Sequence, residues 1–341
     1  MNFDFDDDQR EIKRTAHDLL ASRSSWERVR AAAESGVYDA SLWTELSELG
    51  WPGIAISEEH GGQGLGLVEL CVLLEELGYA GTATPLLSTA LAAVAIQEAG
   101  SPQQRAEWLP RLATGEITGT LGLAAGGVGE LVPDGDDAAV IVLVEDGTGR
   151  LLTPQTATIE PVHAIDPTRH FARVTANGGE ELPGDIGAAL DKAAVAVSAE
   201  LVGVCQRALD MSVEYAKDRK QFDTPVGAFQ AVAHRCAQML KYTEGARAAA
   251  YAGAWAADAA GLEGVDLAES ASIAKAAASE AGREVTASAI QVHGGIGFTW
   301  EADVHWLFKR AQLDAAYLGG AGAHRRRLTA LLASRVTAGA R

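Results

Sequence analysis

Polar side chains suited to binding an anion gather at one break in the helical pattern of this chain. Apolar residues recur at helical spacing on both sides of a D-T-P segment at residues 223–225, so the sequence predicts two helices that meet at a corner. Arg219, Lys220, Gln221 and Gln230 lie at this corner. A guanidinium and carboxamide groups can bind a phosphate-bearing ligand, although an ordinary helix end with solvated charges would contain the same residue types.

A second stretch with binding potential is residues 291–301, which read Q-V-H-G-G-I-G-F-T-W-E. Gly294 and Gly295 lack a Cβ and therefore allow close backbone approach, but a glycine pair alone usually only ends a helix. His293 and His234 have no carboxylate or nucleophile at a readable spacing. We therefore interpret both as packed or surface histidines.

Taken together, the corner, residues 291–301 and the basic helix that follows (His305, Lys309, Arg310) resemble the C-terminal domain of the acyl-CoA dehydrogenase family. The phrase L-G-W-P-G-I-A-I-S-E-E-H-G-G-Q-G at residues 49–64 is similar to the N-terminal helical domain of that family. The glycines in this phrase imitate a dinucleotide fingerprint, but their spacing is wrong for one. The resemblance extends over nearly the whole chain.

Apolar periodicity predicts a mainly α-helical protein with a small central β-domain. Helical patterns occupy residues 3–115 and recur at 187–219, 226–261, 267–292 and 301–333, whereas short β-prone runs lie at 117–124, 138–145, 150–154 and 170–175. We predict an N-terminal helical domain (1–115), a reduced antiparallel β-domain (116–185) and a C-terminal four-helix bundle (186–341). The resemblance implies that this bundle also forms a subunit interface.

The resemblance implies a set of FAD contacts. In the family, the arginine and phenylalanine of an R-x-x-F motif and a glutamine eight residues later contact FAD bound mainly to a neighbouring subunit; here they are Arg219, Phe222 and Gln230. Gln291 and Gly295, in Q-x-x-G-G, match positions that approach the adenosine end of FAD. The chemistry is suitable, because a guanidinium can neutralise a diphosphate and an aromatic ring can pack on an apolar ligand face.

The catalytic base of the family is missing. Relatives place a glutamate in a Tyr-Glu-Gly-Thr-type turn, where this chain has Leu318, or early in the helix that leads to the corner, where it has Ala193. We therefore predict no catalytic residue on this chain. Glu200, Asp314 and Glu301 are the carboxylates that remain nearby, and Asp314, one helical turn before the turn, is a weak candidate for a substitute base.

The β-domain also departs from the family pattern. The loops that hold the flavin ring and thioester are replaced by L-A-A-G-G-V-G-E at residues 123–130, and the expected tryptophan-bearing segment has no counterpart. The family's D-x-T-R turn is kept at residues 166–169. The resemblance thus implies a degenerate flavin-ring site in a shortened but preserved domain.

This combination resembles the non-catalytic subunit of the two-gene, α2β2 acyl-CoA dehydrogenases of actinobacteria, several of which act on CoA thioesters of steroid side chains. Our leading hypothesis is a subunit that shares FAD with a full-length homologue. That partner would supply the glutamate and the acyl-CoA pocket, and electron-transfer flavoprotein would be the acceptor. The alternatives are a self-sufficient homo-oligomer that uses an unrecognised base such as Asp314, and a non-enzymatic scaffold of the same fold.

Composition limits the other options. The 341 residues carry a formal net charge of −18, which argues against nucleic acid or an anionic membrane as a partner, and no apolar run is long enough to span a bilayer. The N-terminus lacks a signal or transit pattern, so we predict a cytoplasmic protein. Cys71, Cys205 and Cys236 lie in apolar helical patterns and are interpreted as reduced core residues, and we predict no metal site.

Overall fold

The computed structural model describes residues 4 to 339. The first helices are α1 (Asp7–Arg23), α2 (Trp26–Ser35), α3 (Ala40–Glu48), α4 (Leu67–Ala80), α5 (Leu86–Ala99) and α6 (Pro102–Ala113). After the β-strands come α7 (Ile186–Asp218), α8 (Gln230–Asp258), α9 (Leu267–His293), α10 (Val304–Ala316) and α11 (Ala321–Gly339). Helix accounts for 62% of the chain, which confirms the prediction of a mainly helical fold with a small sheet domain.

The β-strands form small sheets between α6 and α7 and one hairpin after α7. One sheet has the order β1 (Gly119–Leu123), β3 (Val140–Glu145), β4 (Thr148–Leu152) and β7 (Glu180–Leu182); the other has the order β2 (Val128–Pro133), β6 (Phe171–Ala176) and β5 (Ala157–Pro161). Strands β8 (Lys220–Gln221) and β9 (Thr224–Pro225) pair with each other.

Two details of the sheets differ from the sequence prediction. Strands β1 and β3 pair in parallel, so the first sheet is mixed and not purely antiparallel. Residues 123–130, taken as a loop, include the start of β2, and residues 157–161 form β5 without a β-prone signal that we recognised. The alternation is weak there because β5 is largely exposed and glycines interrupt residues 126–129.

The last predicted helix is broken. Residues 301–333 were expected to be continuous, but α10 ends at Ala316 and α11 begins at Ala321. Leu318 and Gly319 between them have φ angles of 57° and 95°, which a right-handed helix does not contain. The turn therefore divides the fourth helix of the expected bundle into two.

The chain divides into two compact units. One contains residues 1–22, 74–82 and 194–341, and the other contains residues 23–73 and 83–193. The predicted boundaries at residues 115 and 185 stay a prediction.

In the unit that contains the C-terminal helices, α4 and α7 cross at glycines. A Cβ on Gly203 would lie 1.8 Å from the backbone oxygen of Glu75, and one on Gly78 would lie 2.1 Å from that of Glu200. Glycine is therefore required at both positions for the two backbones to touch. The Glu75 carboxylate accepts hydrogen bonds from Lys13 at 3.0 Å and Tyr251 at 2.7 Å, which connects α1, α4 and α8.

Helix α9 packs against α8, α10 and α11 in the same unit. Lys275 of α9 is fully buried, and its ammonium donates to the hydroxyl of Ser279 at 2.9 Å and to the backbone oxygens of Asp314 at 2.9 Å and Ala315 at 3.4 Å. These oxygens belong to the last turn of α10, so the Lys275 side chain caps that helix end from inside. Burial lowers the pKa of Lys275 to about 7.

In the other unit, α5 is buried along almost its whole length and packs against β1 and β3. Helix α6 begins with a capping box, in which Ser101 and Gln104 each satisfy the other's backbone N–H group. The two sheets enclose a small apolar core, which consists of Val132, Ala138, Ile141, Leu143, Leu152, Ala172 and Val174.

No helix within residues 4–339 has the length and apolarity that crossing a membrane would require. Cys71, Cys205 and Cys236 are free; the first two are buried and the third is half-buried.

Candidate functional site

The predicted corner after α7 is a tight hairpin with an aromatic side chain at its tip. Gln221 pairs with Thr224, so Phe222 and Asp223 form a two-residue loop, and their φ angles are 53° and 61°. Positive φ at both central positions is the requirement of a type I′ turn, which favours Asn and Gly. Phe222 adopts this disfavoured conformation although 90% of its surface is exposed. The local fold gains no burial in return for the strain.

Arg219 and Gln230 flank this hairpin. The N–H group of Arg219 donates to the Tyr215 carbonyl at 2.9 Å, and its own carbonyl accepts from the N–H group of Val226 at 2.8 Å. The backbone of Arg219 is thus held in place while its side chain is exposed. Within residues 4–339, no carboxylate forms an ion pair with this guanidinium. Gln230 is the first residue of α8 and is also exposed.

The second predicted segment lies where α9 ends. Gly294 caps α9 with φ 64°, and its N–H group donates to the carbonyls of Gln291 and Ile290. A 3-10 turn follows over Gly294–Phe298. Gln291 and Gly295 are exposed, and a Cβ on Gly295 would meet no atom within 4 Å. Because its own chain does not require glycine there, the open space at Gly295 is compatible with close approach of a ligand.

An aromatic stack joins the ends of α7 and α9. The rings of Tyr215 and His293 lie 4.6 Å apart at an interplanar angle of 25°. His293 Nδ1 lies 2.8 Å from the Ala289 carbonyl oxygen and must be the donor, because a carbonyl only accepts. Burial lowers the pKa of His293. Of the two interpretations left open for His293, packed or surface, the structure shows the packed one. The sequence does not identify Tyr215 as its neighbour, since nothing in the spacing indicates a contact between residues so far apart.

The positions of the expected base carry apolar side chains. Leu318 is 9% exposed, and its carbonyl accepts from His324 Nε2 at 3.1 Å. Ala193 is fully buried in α7. Of the three nearby carboxylates, Glu200 is fully buried and Asp314 is 2% exposed, whereas Glu301 is exposed. The structure therefore places no exposed carboxylate at either base position or at residues 200 and 314.

Four backbone donors of the turn that replaces the family's flavin-ring loop are bonded within the chain. The N–H groups of Ala124, Ala125 and Val128 donate to backbone carbonyls, and that of Gly127 donates to the Glu145 carboxylate at 3.1 and 3.2 Å. A flavin ring needs such donors free for its nitrogens and oxygens. These four amides are consequently not available to a flavin ring.

Several features were not found from the sequence. Two adjoining cavities of 360 and 550 Å³ lie between the end of α7 and the start of α8, and both are lined by Val213, Lys217 and Cys236. Trp300 is 70% exposed, and the Lys309 ammonium lies 4.1 Å from the centre of its ring. Neither the residues that line the cavities nor a lone tryptophan shows a periodic pattern in the sequence that would indicate these features.

One group of side chains has a ligand geometry that we did not anticipate. Asp136, Asp137 and His170 offer atoms that all lie within 4.8 Å of one another. Nδ1 of His170 lies 3.2 Å from the Asp137 carboxylate, a distance that a hydrogen bond between the two side chains explains without a metal ion. The absence of a metal site stays a prediction.

Two protein-family models match this chain. The family model described as acyl-CoA dehydrogenase, C-terminal domain, matches residues 185–332, and the family model described as acyl-CoA dehydrogenase, N-terminal domain, matches residues 6–116. Acyl-CoA dehydrogenase IpdE2 of Mycolicibacterium smegmatis is 39% identical over 327 residues, which cover 95% of this chain and 98% of that protein.

Solved structures are similar over the same extent. A variant of the Tcur3481-Tcur3483 steroid acyl-CoA dehydrogenase superimposes with a TM-score of 0.87 and 29% identity, covering 97% of this chain and 99% of that one. The ChsE4-ChsE5 complex from Mycobacterium tuberculosis gives a TM-score of 0.88 at 24% identity, over 98% of this chain and 99% of that one. The second likeness concerns the fold alone.

Proposed function

Because this chain belongs to the acyl-CoA dehydrogenase family, we propose that it is the non-catalytic subunit of a heteromeric, FAD-dependent acyl-CoA dehydrogenase. The complex would remove two hydrogens from the α and β carbons of an acyl-CoA thioester. A homologous partner subunit would supply the glutamate base, the flavin-ring site and the acyl pocket. This chain would cap the adenosine diphosphate half of FAD.

One contrast within the chain carries the proposal. Arg219, Phe222 and Gln230, together with Gln291 and Gly295, all present exposed surface at the ends of helices. The two base positions instead hold buried apolar side chains, and four amides of the turn at residues 123–130 already have acceptors within the chain. Residues suited to half of the cofactor are thus present without those suited to the reaction.

The capping residues have distinct chemical roles. The Arg219 guanidinium, which has no carboxylate partner among the described residues, can bind the diphosphate through two parallel hydrogen bonds. Phe222 can pack against an apolar face of the cofactor, while Gln230 and Gln291 offer amide donors and acceptors. Gly295 leaves room for the adenosine. When bound, FAD supplies the hydride acceptor for the reaction.

The substrate and partners are proposed from the relatives. The Tcur3481-Tcur3483 protein is described as a steroid acyl-CoA dehydrogenase, and the identity of 29% supports a CoA thioester of a steroid side chain as the substrate here. An α2β2 assembly with a full-length homologue fits a chain that lacks the base. Electron-transfer flavoprotein is the proposed acceptor, and the cytoplasm the proposed location.

Co-expression with a homologue that bears the missing glutamate tests this function. The purified complex should contain about one FAD per heterodimer and oxidise acyl-CoA, whereas this chain alone should do neither. Arg219→Ala should lower FAD content, and Arg326→Ala, which removes an exposed arginine on α11, should not.

Three results would contradict the proposal. Two FAD molecules per heterodimer would mean that this chain forms a complete site of its own. Turnover by the isolated chain that Asp314→Asn abolishes would select the self-sufficient enzyme. A complex without flavin, or with flavin content unaffected by Arg219→Ala, would indicate a scaffold.

A further inference from the structure

We infer that the Tyr215–His293 stack positions the two FAD-capping segments relative to each other, so that both residues set FAD affinity without touching the cofactor. This inference rests on the proposed function. The segments belong to different helices: Arg219 and Phe222 follow α7, whereas Gln291 and Gly295 lie at the end of α9. The stack is the aromatic contact that links these two helix ends in the described part of the chain.

On the α7 side, Tyr215 is bonded directly to the first capping residue. Its carbonyl accepts the Arg219 N–H group at 2.9 Å, and the Arg219 carbonyl in turn accepts the N–H group of Val226, just after the hairpin. A change in the position of Tyr215 is therefore transmitted through backbone hydrogen bonds to the base of the hairpin that carries Phe222.

On the α9 side, His293 is fixed from several directions. Its Nδ1 donates to the Ala289 carbonyl at 2.8 Å, and the ring is 8% exposed. The turn that follows packs closely against His293. A Cβ on Gly297 of this turn would lie 3.1 Å from the His293 Cβ and 2.7 Å from the Ile290 oxygen. Movement of His293 would thus displace the turn that contains Gly295.

These contacts connect the two segments through Tyr215 and His293. Binding sites assembled before the ligand arrives lose less affinity to ordering of their own groups. Without the stack, each FAD-capping segment can still make its own contacts with FAD. Binding of FAD must then fix the position of one segment relative to the other, which lowers the affinity. The expected effect is a loss of FAD affinity with little change in assembly of the complex.

The experiment measures FAD dissociation from the assembled heteromeric complex, followed by the fluorescence of released flavin. Tyr215→Ala and His293→Ala should weaken FAD binding about tenfold, or ~1.4 kcal/mol, the upper end expected for one aromatic pair. Tyr215→Phe retains the ring stack and should remain within about twofold of the wild type. Equal losses in Tyr215→Ala and Tyr215→Phe would overturn the inference.

Action through the capping residues predicts a dependence between substitutions. In a Gln291→Ala background, Tyr215→Ala should cost less FAD affinity than in the wild type, because one of the contacts that it positions is already absent. Identical losses in both backgrounds would show that Tyr215 does not act through this segment. If Tyr215→Ala does not assemble, Tyr215→Leu keeps much of the side-chain volume, lacks the ring and is judged by the same criteria.

The outcomes separate this inference from the proposed function. If Arg219→Ala lowers FAD affinity and the Tyr215 variants do not, the stack has no positioning role but the capping function stands. If Arg219→Ala has no effect either, the proposed function itself fails.

Discussion

Replacing Phe222 by asparagine should make the isolated chain more stable and the heteromeric complex poorer in FAD. A non-glycine residue in the left-handed region costs roughly 1–2 kcal/mol, and Phe222 and Asp223 both have φ angles in that region. Asparagine tolerates this conformation far better than phenylalanine does. The substitution therefore removes strain from the tip of the hairpin.

Little opposes that gain. Complete burial of a phenylalanine contributes about 1.5–3 kcal/mol, but this ring is 90% exposed, so the burial forfeited is on the order of 0.2–0.3 kcal/mol. The net stabilisation of the isolated chain should be about 1 kcal/mol. It should appear in urea unfolding as a higher midpoint with an unchanged slope.

The complex should respond in the opposite direction, because the aromatic surface proposed to pack on FAD is lost. Asp223→Gly is the matched control: it relieves strain at the other loop position and keeps the ring, so it should stabilise the chain without lowering FAD content. The reasoning would be refuted if Phe222→Asn destabilised the isolated chain. It would equally be refuted if this variant retained FAD as well as the wild type does.

Three further predictions test other parts of the structure. The pKa of Lys275 is about 7 in the folded chain and 10.5 in the unfolded chain, so the unfolded chain binds one more proton between these pH values and the free energy of unfolding should rise with pH there. Lys275→Met should flatten that rise, measured as urea midpoints at pH 7.5 and 9.5. Equal rises in the variant and the wild type would contradict the assignment. Gly203→Ala would place a Cβ 1.8 Å from the Glu75 backbone oxygen and should lower the free energy of unfolding by roughly 3 kcal/mol or more. Gly245→Ala, in open space on α8, is the control and should raise it by up to about 1 kcal/mol in the same urea assay. Leu318→Glu would bury a carboxylate and should lower the free energy of unfolding by about 2 kcal/mol or more. Because the substitution creates no flavin-ring site, the isolated folded variant should not oxidise acyl-CoA. Turnover by this variant would contradict the proposal that the chain lacks a flavin-ring site.

The sequence was sufficient for those parts of the fold that depend on periodicity. Helices α7, α8 and α9 begin and end within a few residues of the apolar patterns that predicted them. The break between α10 and α11 was missed because the helical pattern was followed across Gly319 and Gly320, although a glycine pair indicates a helix stop. Strand β5 was missed because its side chains are largely exposed and give no clear alternation.

For the candidate site, short motifs indicated the residues but not their arrangement. Arg219 and Gln291 could be selected by resemblance, and their roles stay a prediction. The stack of Tyr215 on His293 was out of reach, since it joins residues 78 positions apart through the packing of two helices. The strain at Phe222 also became visible only with the backbone angles, and it is the feature that most sharply separates this hairpin from an ordinary helix end.

The closed turn between β1 and β2 also limits how this protein can change. The N–H group of Ala124 donates to the Val144 carbonyl, Ala125 and Val128 donate to each other's carbonyls, and Gly127 donates to the Glu145 carboxylate. The bonds between main-chain groups do not depend on side-chain identity, whereas replacement of Glu145 would remove the acceptor of the Gly127 N–H group. Freeing the main-chain amides for a flavin ring would require a different course of the main chain, which one substitution at this turn does not provide.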